Sequence, residues 1–179
     1  AVDQATGQKR FAGFHKVTAS ESGANLTPLR ISETYFHQSN GSDSVTSEPA
    51  DNSLALIGRP YYSVVKDPSS VLKKETWNKY GQYTLVSEPV VGRTSRFVYP
   101  SEVVMKTTEV GAVTGTADVY TFNTTLGEQT EIRNMGLVTV GSGGSYVDIA
   151  GDTRYKFIDY VNNSVGSLVK PKRVDIRTS

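Results

Sequence analysis

Four segments inside residues 95–151 decide the fold: SRFVYPSEVVMKTTEV (95–110), GTADVYTFNTT (115–125), EIRNMGLVTVG (131–141) and SYVDIAG (145–151). Each is short, rich in Val, Thr, Tyr or Phe, and bounded by glycine. β-Branched and aromatic side chains suit a pleated, half-buried surface. Glycine supplies the backbone freedom that tight turns need. The separators fall at 111–115, at Leu126-Gly127 and at 141–144, and Gly92 closes a preceding segment, YTLVSEPVVG (83–92). Strands at this spacing predict a mainly β domain: a sandwich, jelly roll or barrel.

Upstream, the pattern continues less cleanly. LRISETYFH (29–37) alternates, with Leu29, Ile31, Glu33, Tyr35 and His37 on one face and Arg30, Ser32, Thr34 and Phe36 on the other. Neither face is purely apolar, which suits an edge or interface strand. KRFAGFHKVTA (9–19) reads as a first strand with Phe14 turned inward. LALIGRPYYSVVK (54–66) reads as a strand broken at residues 58–60. Between them, residues 38–53 form a long polar stretch with Asn-Gly and Glu-Pro turn steps, either a displayed arm or a surface excursion.

Two segments read as short helices. Asp67 as cap, Pro68 at the first helical position and Gly81 as stop predict a helix over about 67–80, with Leu72, Trp77 and Tyr80 loosely on one side. Residues 152–165 place Tyr155, Ile158, Val161 and Val165 on a second stripe, with Asp152 and Gly166 as cap and stop, although YKFIDYV also alternates. The tail RVDIRTS (173–179) is a strand, with Val174 and Ile176 on one side and Arg173, Asp175 and Arg177 on the other. Nothing divides the 179 residues, so residues 1–179 are read as one β-rich domain with terminal strands at about 9–19 and 173–179.

Composition narrows the class. Val (22), Thr (19) and Ser (19) dominate, there is no cysteine, and Lys+Arg (19) nearly balances Asp+Glu (18). A disulfide framework and thiolate chemistry are excluded. No apolar run approaches the roughly 20 residues of a membrane helix. A start at Ala1 is what removal of an initiator methionine or of a signal peptide would each leave. Positive charge gathers at the ends, on Lys9, Arg10 and Lys16 and on Lys170, Lys172, Arg173 and Arg177. If the termini lie together, these residues form a basic patch that could contact nucleic acid or a neighbouring subunit.

No motif commits the chain to a reaction. The Gly-Ser-Gly-Gly-Ser run at 141–145 follows a strand but lacks the Lys-Ser/Thr and helix of a phosphate loop, so it reads as a hairpin turn. His15 and His37 are too few for a zinc site and have no nucleophile-elbow pattern beside them. Asp43, Glu48 and Asp51 lack the alternation of a calcium loop. No spacing selects a catalytic pair among Glu102, Glu109, Asp118, Glu128 and Glu131. Asn-x-Ser/Thr triplets at Asn25, Asn40, Asn123 and Asn162 are possible glycan acceptors. Tyr61, Tyr62, Trp77 and Tyr80 could form an aromatic binding surface, because ring faces stack on sugars or bases; core packing is the plainer role.

The sequence therefore predicts a non-enzymatic structural subunit without a cofactor. It would self-assemble through its terminal strands into a viral or phage shell or an exported filament, within a virion or on an extracellular surface. The alternative is a secreted β module that binds carbohydrate or another extracellular ligand.

Overall fold

The computed structural model describes residues 13–24, 28–38, 54–88, 93–109, 111–125, 127–149, 151–160 and 171–178. Ten strands run in chain order: β1 (Lys16–Ser22), β2 (Pro28–Phe36), β3 (Pro60–Lys66), β4 (Leu72–Glu88), β5 (Arg93–Glu109), β6 (Ala112–Asn123), β7 (Glu128–Val140), β8 (Tyr146–Asp148), β9 (Arg154–Tyr160) and β10 (Pro171–Thr178). They form one open antiparallel meander in the order β1-β2-β3-β4-β5-β6-β7-β9-β10. Strand β8 pairs with Val138, Thr139 and Val140 of β7, while β9 takes Glu131 to Asn134 of the same strand. The mainly β class holds. The layering is simpler than the sandwich, jelly roll or barrel expected, because all ten strands pair side by side in a single sheet.

The helix expected over 67–80 is instead the β3–β4 turn and the first half of β4. Asp67 does cap free amides, but those of a turn: its Oδ1 accepts from the Ser69 and Val71 amides at 2.9 and 3.0 Å. The Ser70 amide donates to the Asp67 carbonyl at 2.9 Å. An Asp-Pro pair starts a turn as readily as a helix, and the alternation of Lys73, Glu75, Trp77 and Lys79 makes the next segment a strand. Gly81 stops nothing; it lies mid-strand, where a Cβ would overlap the Tyr99 ring. The second expected helix is also replaced. Residues 154–160 are β9, held between β7 and β10, and residues 161–165 lie outside the described residues. Phe14 is 71% exposed rather than turned inward. Of the first expected strand, residues 9–12 lie outside the described residues and Lys16–Ala19 belong to β1, while the last strand spans Pro171–Thr178.

Directly paired residues share a face of a sheet, so the register defines its two surfaces. One row runs Lys16, Tyr35, Tyr62, Trp77, Val104, Ala117. The adjacent row on that face runs Thr18, Glu33, Val64, Glu75, Lys106, Gly115, Val138. The opposite face carries Val17, Thr34, Ser63, Thr76, Met105, Thr116 and Leu137. The first face therefore holds the aromatics and half-buried charges, and the second is a hydroxyl-rich surface of the kind an antiparallel sheet turns to water.

The core is small. Val104, Ala117 and Val138 are buried, with Trp77, Met135, Val140 and Tyr146 packed around them. The β7–β8 turn folds onto Trp77: at Gly144 (φ 70°) a Cβ would stand 2.6 Å from the Trp77 Cβ. That turn is the hairpin expected at 141–145. Leu56, in a 3₁₀ turn before β3, adds a buried residue against β5.

Candidate functional site

The two features expected to carry function are the charged ends and the aromatic group, and the fold treats them differently. The charged ends separate. Lys16 lies on β1 and Lys172, Arg173 and Arg177 lie on β10, the opposite edges of the sheet order; the pairing does not join them into one basic patch. Lys9, Arg10 and Lys170 fall outside the described residues.

On the β1 edge, Lys16 donates to Glu33 on β2 at 2.6 Å, and Lys66 on β3 reaches the other carboxylate oxygen at 2.7 Å. Glu33 thereby ties three strands together. The Lys16 hydrogen bond, then that of Lys66, holds its carboxyl at about 2, well below the usual carboxylate range. The same bond raises the Lys16 ammonium. Glu21 pairs with Arg30 across the same hairpin.

On the β10 edge, Arg173 Nε donates to Asp175 at 2.9 Å and Arg177 stands 3.8 Å from the same carboxylate. The Arg177 guanidinium also lies 5.2 Å from the Phe157 ring centre. Phe157 stacks on Tyr155 at 6.0 Å, and Arg133 covers Tyr155 at 5.4 Å. Two stacked aromatic rings of β9 are thus flanked by an arginine from β7 and one from β10. All eight residues of β10 are exposed except Asp175, which is half-buried, and all seven of β1 are exposed.

The aromatic group converges into a packed block. Tyr61 is 3% exposed, while Tyr62, Trp77 and Tyr80 are half-buried. Ring centres lie 5.4 Å apart for Tyr62 and Trp77, 5.0 Å for His37 and Tyr61, and 6.0 Å for His37 and Tyr80. Tyr35 joins them at 5.7 Å from Tyr62, with His15 edge-on to it at 5.9 Å. Burial, then a 2.7 Å bond donated to Glu75, pushes the Tyr62 hydroxyl well above its ordinary pKa. Tyr80 donates to the Pro60 carbonyl at 2.9 Å, and burial raises its hydroxyl too. Tyr61 therefore has no open ring face, and the other rings offer partial edges.

Glu33 and Glu75 were missed by sequence reasoning. Each is a charge at an inward position of an alternating strand, and that placement was the available cue. Both histidines sit in aromatic packing, and among the described residues no three His, Asp or Glu side chains cluster as metal ligands would. Asn123 closes the β6–β7 turn, its side chain accepting from the Thr125 amide at 2.9 Å. Asn25, Asn40, Asn162 and the acidic residues Asp43, Glu48 and Asp51 lie outside the described residues. No helix among the described residues is long and apolar enough to cross a membrane.

No protein-family model matches this sequence, and no curated protein or solved structure is significantly similar to it. Function must be argued from the sheet itself.

Proposed function

We propose that the chain is a non-enzymatic structural subunit of a self-assembling particle or filament, of the viral or phage shell or exported filament kind. One observation carries this reading: among the described residues a wide open sheet keeps both edge strands, β1 and β10, exposed along their lengths. An exposed edge offers unpaired amides and carbonyls that another strand can complete. The small core among the described residues supports the same reading, since identical copies bury by contact what one chain leaves open. The reading places the chain in a virion or an extracellular surface assembly.

The test is the native mass of the purified chain, with absorbance at 260 and 280 nm. The expected result is a species many times 19.5 kDa. Excess absorbance at 260 nm would add packaged nucleic acid as a partner, served by the basic ends. A clean monomer at all concentrations would overturn the assembly reading. Glycan-dependent quenching of Trp77 in that monomer would then favour the ligand-binding module.

A further inference from the structure

The two edges are not equivalent. Resting on the assembly reading, we propose that β10 pairs antiparallel with β10 of a second copy of this chain. A two-fold axis normal to the sheet would then join two ten-stranded sheets into one.

Strand direction supplies the first argument. Nine strands lie on the path from β1 to β10, so eight antiparallel steps separate them and the two edges run the same way. Joining β10 to a neighbour's β1 with like faces aligned would force a parallel ladder. Every ladder in this sheet is antiparallel, and parallel pairing is slightly weaker per residue. A two-fold axis normal to the sheet gives an antiparallel ladder and maps each face onto itself, the commonest symmetry of soluble oligomers.

The sequence of β10 supplies the second. Its centre reads Arg173-Val174-Asp175-Ile176-Arg177. With Val174 on the axis, Arg173 faces the partner's Asp175 and Asp175 faces the partner's Arg173, so two cross-strand ion pairs form at once. Val174, 46% exposed, meets the partner's Val174. Ile176, 73% exposed, lies along the stem of the partner's Lys172. Pro171 and the arginines discourage unrelated strands, while a second copy supplies the matching carboxylate.

Strand β1 lacks this property. Lys16 and Glu21 are five residues apart, so they lie on opposite faces and cannot meet across a two-fold pair. Intrachain pairing does not separate the two edges, since Asp175 holds Arg173 as Glu33 holds Lys16; the spacing of opposite charges along the strand does.

The chain has no cysteine, which makes the test clean. Cross-strand Cα atoms in an antiparallel pair stand about 4.5–5.5 Å apart, within disulfide reach. Under mild oxidation the full chain carrying Val174→Cys is expected to run mainly as a covalent dimer. Val17→Cys, on the β1 edge, is expected to stay largely uncrosslinked. Arg173→Asp and Asp175→Arg should each weaken dimerisation at least tenfold, and the double variant should restore it, because the swapped charges still face one another. A large native mass with no Val174→Cys dimer, or with Val17→Cys crosslinking instead, would overturn the proposed pairing and leave the assembly reading standing. A double variant that folds but does not regain dimerisation would overturn the register. A monomeric native mass for the unmodified chain would sink both readings together.

Discussion

Val104 on β5 and Ile176 on β10 are both β-favouring aliphatic residues, yet the first is fully buried and the second is 73% exposed. The difference lies in their neighbours. Val104 has a strand on each side and lies among Ala117, Val138 and the Trp77 ring that the β7–β8 turn holds down. Ile176 has β9 on one side and nothing described on the other. Burial in this chain depends on strand position and face together: Leu137, on central strand β7 but on the opposite face, is 47% exposed. An apolar residue kept at such an edge contributes little to folding one chain, so its use is to be sought between chains.

Breaking the centre should have the largest effect. Trp77→Ala removes the ring that links the core row to the covering turn, and should cost about 3 kcal/mol, read as a lower urea midpoint. An unchanged midpoint would mean that the core does not depend on that contact. Gly144→Ala comes next. A side chain at positive φ, pressed against Trp77, should cost about 2 kcal/mol and release part of the tryptophan fluorescence constraint. A variant as stable as the parent would show that the turn does not cover the ring.

Glu33→Gln tests the seam between centre and edge. Loss of both lysine partners should cost about 1 kcal/mol at neutral pH. Folding depresses the Glu33 carboxyl from 4.5 to about 2, so its contribution is present above the unfolded value and disappears as pH falls through the folded one. The stability gap between parent and variant should therefore be full above about pH 5 and closed near pH 2. A gap that persists below pH 2 would show that the lysine contacts are not its source. Ile176→Ala should matter least for folding, within about 0.5 kcal/mol of the parent, while the assembled fraction drops. Equal assembly would remove the contrast between the two residues from which the comparison began.

Much of the sheet was legible in the sequence. The alternation in LRISETYFH gives β2 with Tyr35 on its buried side and His37 buried just past its end, and Gly111, Gly127 and the glycines of 141–144 fall between observed strands. The separator expected over 111–115 is shorter, because Gly115 lies inside β6, paired with Lys106 and Val138. Asp67-Pro68 misled because one short polar side chain caps a helix and a turn by the same bond to a free amide; only the period of the residues beyond distinguishes them. Residues 154–160 misled because a seven-residue segment satisfies both periods, and the flanking strands decided the outcome. For the candidate site, the face assignment of Val174, Ile176 and the charges around them was readable. The separation of the basic ends was not, because pairing order is a property of the whole sheet. The ties made by Glu33 and Glu75 could not be read, although Glu33 stood out on a largely apolar face, because their lysine partners come from other strands.

The nearly consecutive order of the meander, in which only β9 passes over β8 to reach β7, has a consequence in time. Each strand needs only the segment the ribosome has just delivered, so hairpins can add one after another as the chain emerges. The self-complementary edge is synthesised after the other nine strands. A nascent chain would have no competent β10 to offer its neighbours on the same messenger, and copies could join only once their own sheets were built.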